Sequence, residues 1–408
     1  MLIEFKVGNY LSFNEVQVLR IGRKGQDGNY TISKNGFVFG PNGSGKSNLI
    51  KAINTSASLV NGTYKHTNSK SRHLDKMGAS VDDYSYFEYV LQLDGRNVSY
   101  GFEINLEKGD IRSEWLIEIG AKERCIFEFL PDSSASSFPD LRENDKLYLR
   151  TVALENGGVD HSLVASIRVW FSRIRIKVTN DRMETIPVAK GFADSLKKQL
   201  SALDTGITEV ILEKLPEDSN ITMKAKENRI VGKDCVVYVQ GIGSRRTTLV
   251  LAGADGTFNR FLFRHGTRHL ANIDEESLGT SRMIRLLAIL SSQNIDGECG
   301  LVCIDEIECS IHTLAMVQIM DMFMKSTPYC SQIVVTTHES RLMDLLQPSD
   351  ADIWFVDYKD NDDDRMSVLY SLSSFKGGFT NYERMYMDGK FSAVPAITPL
   401  RFGGDERC

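Results

Sequence analysis

Eight consecutive residues, Gly40-Pro41-Asn42-Gly43-Ser44-Gly45-Lys46-Ser47, fit the pattern G-x-x-x-x-G-K-[ST] without a gap. The apolar run Gly36-Phe37-Val38-Phe39 before them predicts a strand, and Asn48-Leu49-Ile50-Lys51-Ala52-Ile53 after them has helical apolar spacing. Strand, glycine-rich loop and helix in that order form a cradle for phosphate. Glycines let successive backbone N–H groups turn inward, and the helix start adds unpaired N–H groups and the positive end of its dipole. Asn42, Gly43, Ser44, Gly45, Lys46, Ser47 and Asn48 are therefore the candidate nucleotide-binding residues. Lys46 is placed to reach the β- and γ-phosphates, and Ser47 carries a hydroxyl suited to Mg²⁺.

Leu301-Val302-Cys303-Ile304-Asp305-Glu306 has the form of a buried strand that delivers two carboxylates. Beside the phosphates, Asp305 would hold Mg²⁺ directly or through water, and Glu306 would orient or deprotonate an attacking water. The next apolar strand, Gln332-Ile333-Val334-Val335-Thr336, ends in Thr337-His338, where an imidazole can donate a hydrogen bond to a γ-phosphate. The candidate catalytic residues are thus Glu306 and His338, the candidate metal ligands Ser47 and Asp305, and the implied cofactors ATP and Mg²⁺. The whole middle of the chain separates Lys46 from Asp305, so an inserted domain splits the two halves of one nucleotide-binding lobe.

Other segments must build the frame around these motifs. Leu2 to Val7 and Val16 to Leu19 read as strands, as do Tyr84 to Leu93, Val98 to Leu106, Trp115 to Ile119 and Cys125 to Leu130, with Asp94-Gly95 as a hairpin turn. Gly22 to Asn29, Asn61 to Ser80, and Pro131 to Ser137 read as turns or loops by composition. Val164, Ile167 and Phe171, then Phe192, Leu196, Leu200 and Leu203, repeat at helical spacing. Ile207 to Leu215, Val236 to Val239 and Thr247 to Leu251 return to strand patterns. Met283, Leu286, Leu287 and Leu290 mark a helix face, and Ala351 to Val356 and Ser367 to Leu372 are the final strands, with Asp362-Asp363-Asp364 in a solvated turn between them. No run sustains heptads, so no long coiled coil is expected.

The 408 residues suffice for two or three domains, and 42% hydrophobic with 25% charged residues is ordinary globular composition. The formal net charge of −6 argues against a chain that coats nucleic acid over its whole surface, though a local basic groove is compatible with it. The seven cysteines include no C-x-x-C pair and suggest neither a disulfide framework nor a zinc site. No segment has the length and apolarity of a membrane span, and the charged N-terminus does not read as a signal peptide. A cytoplasmic protein with no membrane partner is expected.

Taken together, these motifs resemble the ABC-type ATPases related to SMC, Rad50 and RecF, and more closely the prokaryotic AAA15/AAA21-type ATPases of anti-phage and abortive-infection systems. The resemblance is carried by the opening Leu2 to Phe13, the phosphate loop, Glu275-Glu276-Ser277-Leu278-Gly279-Thr280, Asp305-Glu306-Ile307-Glu308-Cys309-Ser310-Ile311-His312, Thr336-Thr337-His338, and the tail from Tyr386 to Pro395. It implies an α/β P-loop NTPase of the ABC-type head class, with an N-terminal antiparallel β lobe and a mainly helical insertion. Residues 1–146 would form the first half of the head, 147–205 the insertion and 206–408 the second half. In such ATPases two heads sandwich two ATP molecules. Ser277, Gly279 and Thr280 would contact the γ-phosphate held by a second copy; read by itself, Ser277 is a helix N-cap. Leu278 stands where close relatives carry a polar or acidic residue, and Thr313 replaces a frequent proline. The glutamine that couples Mg²⁺ to the inserted domain is not evident: Arg150 to Asn156 contains none, and Glu155 and Asn156 are its polar alternatives.

The resemblance implies a homo-oligomer of paired heads, switched by ATP, that controls a separate protein effector encoded nearby, a toxin or a nuclease. An alternative is a RecF-like DNA-binding ATPase. Its basic face would draw on Arg168, Arg173, Arg175 and Lys177 near Trp170 and Phe171, with Arg245, Arg246, Arg260, Arg264 and Arg268. A further alternative is a nucleotide-gated scaffold with slow or no turnover.

Overall fold

A computed structural model describes residues 1–25, 30–64, 83–130, 146–152, 160–177, 185–241, 246–267, 269–295, 300–326, 331–346, 348–349, 352–361, 364–375 and 381–395. The first part of the chain forms β1 (Leu2–Gly8), β2 (Gln17–Arg20), β3 (Gly22–Lys24), β4 (Tyr30–Ile32), β5 (Asn35–Phe39), α1 (Lys46–Asn61), β6 (Ser85–Leu93), β7 (Arg96–Ile104), β8 (Ile111–Ile119) and β9 (Arg124–Phe129). The middle forms α2 (Tyr148–Thr151), α3 (His161–Ser172), β10 (Arg175–Lys177), β11 (Thr185–Pro187), α4 (Phe192–Ala202), β12 (Ile207–Lys214), α5 (Asn220–Asn228), β13 (Cys235–Gln240), β14 (Thr247–Ala252), β15 (Phe258–His265) and β16 (His269–Ala271). The last part forms α6 (Leu278–Ser291), β17 (Leu301–Ile304), α7 (Thr313–Ser326), β18 (Gln332–Thr336), α8 (Leu342–Leu345), β19 (Ile353–Asn361), β20 (Asp364–Ser371) and α9 (Tyr382–Met387).

The central sheet has the order β10-β17-β18-β5-β19-β20. Its strands run parallel from β10 to β19, and β20 returns antiparallel at the edge. Every residue of β17 and β18 is buried, as a parallel strand covered on both faces requires. The sheet order brings β5, and with it the loop it feeds, beside strands from the far end of the chain. This agrees with the α/β class expected from the sequence. Among the described residues, no helix is long and apolar enough to cross a membrane.

A second, antiparallel sheet, β2-β1-β6-β7-β8-β9, forms the N-terminal lobe. Its alternating inner residues Phe5, Phe87, Tyr89, Tyr100, Phe102 and Phe127 share one core with Leu49, Ile50 and Ile53 of α1 and with Trp170 and Phe171 of α3. Tyr89 meets Phe171 edge-on with ring centroids 4.8 Å apart, the arrangement aromatic quadrupoles favour. The lobe is tied to the central sheet through Gln332, fully buried at the start of β18. Its Oε1 accepts the Leu2 N–H at 2.5 Å, and its Nε2 donates to the Leu2 and Ser33 carbonyls at 2.9 and 3.0 Å.

The short helix α2 is held at both ends. The buried Glu114 carboxylate accepts the N–H groups of Tyr148 (2.6 Å) and Leu149 (2.9 Å), a favourable place for negative charge. At the other end, Arg168 donates to the carbonyls of Leu149 (2.6 Å) and Val152 (2.9 Å).

The third sheet has the order β11-β13-β14-β15-β12, with β16 on β15. Residues 147–205 hold the expected helical segments α2, α3 and α4, but β10 lies within them and joins the central sheet. Three residues, two of them charged, are too short for a periodic signal. The helix α5 and the strand β15 were not anticipated. On β15, Arg260 pairs with Glu213 and Arg264 with Glu209 across the ladder to β12, so these arginines belong to cross-strand pairs. The Gly22-to-Asn29 stretch includes β3, which pairs with β4 as a hairpin. The Asn61-to-Ser80 loop from residue 65 on, the Pro131-to-Ser137 loop, Glu155, Asn156, Arg245, Arg268, Asp362 and Asp363 lie outside the described residues.

Candidate functional site

The phosphate loop joins β5 to α1 through three glycines that turn the backbone to positive φ: Gly40 (151°), Gly43 (77°) and Gly45 (108°). At Gly45 a side chain is excluded on two counts. Its φ is left-handed, and a Cβ would stand 2.2 Å from Ser367 Oγ and 2.8 Å from Ser12 Oγ. Gly45 is also the N-cap of α1 and supplies no side-chain cap; its carbonyl accepts the Asn48 N–H at 2.9 Å, so the N–H groups of Lys46 and Ser47 are the first-turn donors offered to a ligand.

Asn42, Gly43, Gly45, Lys46, Ser47 and Asn48 line one cleft of about 150 Å³ together with Glu306 and His338. Lys46 is buried, and its ammonium donates to the carbonyls of Gly40 (2.8 Å) and Pro41 (2.9 Å). Burial pushes its pKa down to about 8, while Glu308, Asp305 and Glu306 oppose the shift. Ser44 is fully buried and is not among the residues lining the cleft.

A hydrogen-bonded layer lies behind the loop. Ser367 Oγ, from β20, donates toward the Ser44 carbonyl at 2.5 Å and lies 2.7 Å from Ser12 Oγ. Asn48 Nδ2 donates to Ser12 Oγ at 2.8 Å, and the Ser367 N–H bonds the Ser12 carbonyl at 2.7 Å. All three side chains are buried. Asn48 therefore reaches the cleft from the side of this layer.

Ser47 Oγ donates to Asp305 Oδ1 at 3.1 Å, and the same carboxylate oxygen accepts Thr336 Oγ1 at 2.6 Å. Two oxygens about 3 Å apart match adjacent ligands on an octahedral ion with bonds of about 2.0–2.1 Å. The pair therefore fits Mg²⁺, which would draw its remaining ligands from phosphate and water. Among the described residues no cluster of three acidic, histidine or cysteine side chains could cage a metal.

Glu306 sits just past β17 with φ 50°, a conformation that costs a non-glycine residue about 1 kcal/mol. Its N–H donates to Thr336 Oγ1 at 2.9 Å. Thr336 thus orients both acids from the end of β18. His338 lines the cleft, and its backbone N–H donates to Glu308 Oε1 at 2.7 Å. Although His338 is exposed as a whole, partial desolvation and then the Lys46 charge lower its pKa below the usual histidine value. Its ring is neutral near pH 7, with one N–H to donate. Thr336, Glu308, Ser12 and Ser367 were not anticipated as site residues; Thr336, Glu308 and Ser12 stood within quoted motifs, but a lone serine on β20 carries no sequence signal.

Ser277, Gly279 and Thr280 do not line this cleft. They form the start of α6, where Ser277 Oγ accepts the Thr280 N–H at 3.0 Å as an N-cap. Leu278 is 80% exposed at this helix start. A Cβ on Gly279 would come within 2.6 Å of the Ser310 carbonyl, so glycine there also lets α6 pack against the loop after Glu306. Thr313, at the start of α7, donates to Glu339 Oε2 at 2.6 Å, a bond proline could not make.

Several residues expected at a basic face are buried or bonded inside the fold. Trp170 and Phe171 are buried in the lobe core, Lys177 is buried, and Arg168 is spent on α2 carbonyls.

A sequence profile described as "AAA domain, putative AbiEii toxin, Type IV TA system" matches residues 37–344. No curated protein matches the chain. Among solved structures, the chain is similar to an SMC head bound to the C-winged helix domain of ScpA, at 14% identity over 91% of this chain and 98% of that one, with a TM-score of 0.47. It is also similar to an SMC head domain from Thermotoga maritima, at 14% identity over 91% and 98% with a TM-score of 0.41. A third is an Smc head with an extended coiled coil bound to the C-terminal domain of ScpA derived from Pyrococcus furiosus, at 13% identity over 96% and 99% with a TM-score of 0.41.

Proposed function

The chain belongs to this AAA-domain family, and on that premise we propose that it binds and hydrolyses ATP with Mg²⁺ as a nucleotide-gated switch. ATP joins two copies, each presenting Ser277, Gly279 and Thr280 to the γ-phosphate held by the other, and the joined state holds or releases a separate effector protein, a toxin or nuclease, in cytoplasmic anti-phage defence. The observation that carries the reading is the meeting of Lys46, Ser47, Glu306 and His338 in one cleft, with Asp305 bonded to Ser47. The signature residues support the paired state by lying outside the cleft of their own chain, at a helix start where Ser277 and Leu278 are exposed and Thr280 is buried.

Each residue has a definable task. Lys46 and the first-turn N–H groups of α1 hold and orient the phosphates. Ser47 and Asp305 would hold Mg²⁺, which offsets charge on the β- and γ-oxygens. Glu306 accepts a proton from water as the water oxygen bonds the γ-phosphorus. The bond to the β–γ bridging oxygen breaks, ADP departs, and the proton passes on to the released phosphate. His338 donates its ring N–H to the γ-phosphate.

Glu306→Gln should keep ATP affinity and lose turnover by about 10²–10⁴-fold, the range of general-base catalysis. With ATP, light scattering should show this variant as a dimer and Ser277→Arg in the same background as a monomer. Turnover equal to that of the unaltered chain would overturn the catalytic assignment, and a monomer under all conditions would overturn the paired state. The DNA-binding alternative draws no support from the buried Trp170 and Phe171.

A further inference from the structure

We infer that Arg282 is a positioning residue that ties the start of α6 to Glu306, so that events at the signature end of α6 set the aim of the catalytic carboxylate. The inference rests on Glu306 being the catalytic base. Arg282 lies in the second turn of α6, five residues after Ser277. Its Nη2 donates to the Glu306 carbonyl at 2.5 Å and approaches the Asp305 carbonyl at 3.3 Å. The Glu306 carbonyl also accepts the Cys309 N–H at 3.1 Å. One side chain therefore grips the backbone of both acids at the residue whose φ is positive.

Chemistry explains why arginine stands here. A guanidinium is always charged and holds its N–H groups in a fixed plane, so a single Nη2 can be aimed at two adjacent carbonyls, which an ammonium on a flexible stem matches less firmly. Charged donors also make the stronger hydrogen bonds. The Nε of Arg282 is buried without a partner among the described residues. Desolvating that donor costs free energy, so the contact is maintained against a local penalty. A second observation points the same way. The close approach of Gly279 to the Ser310 carbonyl seats the first turn of α6 directly on the loop that follows Glu306. A displacement of α6 therefore reaches the acids by two routes, backbone packing at Gly279 and the Arg282 guanidinium. By contrast, Glu306 is held from the other side by β18, through Thr336. The backbone of Glu306 is held between a strand of the central sheet and the helix that begins at the signature.

The test compares Arg282→Gln and Arg282→Lys, alone and with Glu306→Gln, reading kcat, KM, ATP dissociation constant and melting temperature. Arg282→Gln should lower kcat about ten- to a hundredfold, the cost of a small misplacement of a catalytic group. KM and ATP affinity should stay within about twofold, because binding belongs to the phosphate loop. Arg282→Lys should recover part of kcat. In the Glu306→Gln background, Arg282→Gln should remove nothing more. An unchanged kcat, a loss confined to KM, or a loss that adds to that of Glu306→Gln would overturn the inference. Should Arg282→Gln not fold, Arg282→Lys decides by the same readings. Full turnover by Glu306→Gln alone would instead remove the catalytic reading on which the inference stands.

Discussion

Raising the pH should switch off ATP binding at Lys46 before anything else in the cleft changes. In the unliganded protein the ammonium is buried, bonded to the carbonyls of Gly40 and Pro41, and its pKa is brought down to about 8. Phosphate needs the charged form. Linkage then gives an apparent affinity that is flat at low pH and falls about tenfold per unit above about pH 8. Binding at pH 8 should take up about half a proton, and at pH 9 about nine-tenths of one, because the phosphates restore the lysine's ordinary pKa. Titration calorimetry in buffers of different ionisation enthalpy measures that uptake directly. His338 adds nothing to this window, since its pKa is lowered and its ring is already neutral. Folding without ligand carries the opposite sign. The unfolded lysine keeps its proton up to its ordinary pKa, so between that value and about 8 the unfolded state binds more protons and stability rises with pH. The chain should therefore grow slightly more stable over the range in which it loses ATP. A pH-independent affinity from about pH 7.5 to 9.5, with no proton uptake, would refute the assignment of a depressed Lys46 pKa and its role.

Two further substitutions probe the frame. Ser367→Ala leaves the Ser44 carbonyl and the Ser12 hydroxyl short of a buried partner; it should cost about 1–3 kcal/mol, seen as a lower melting temperature and weaker ATP binding, and an unchanged ATP affinity would show that the layer behind the loop is passive. Trp170→Ala should cost about 3–5 kcal/mol in denaturant unfolding, as expected for a large aromatic removed from a core, with no effect on any DNA affinity of the folded chain; a stable variant with altered DNA binding would return Trp170 to the surface.

Contiguous signals were the readable ones. The phosphate loop is a single run of residues flanked by a strand and a helix, and β17 with its two acids shows the same compactness. The lobe strands were readable from their β-favouring residue types, with Phe87, Tyr89 and Leu91 on the core face of β6, although the middles of β6 and β7 are buried on both faces. What sequence reading missed is held together only in space. Ser12 and Ser367 meet behind the loop from opposite ends of the chain. Arg282, one of two arginines on α6, looks like any solvated cation until its guanidinium is seen on the Glu306 carbonyl. Trp170 beside Arg168 and Arg173 suggested a nucleic-acid face because sequence adjacency does not distinguish the two sides of α3. Short strands such as β10 offer too few residues for any periodicity.

The position of β5 bears on how the protein is made. Both of its neighbours, β18 and β19, are synthesised some three hundred residues after it, and the serine behind its loop arrives later still. A ribosome that has finished the glycine-rich loop has not yet made any strand that can pair with β5. During most of translation the early segment must wait, its lobe sheet able to assemble while the loop stays without a frame. Nascent chains should thus be blind to ATP until the final strands emerge, and a truncated product lacking them would be unable to enter the ATP-bound state at all.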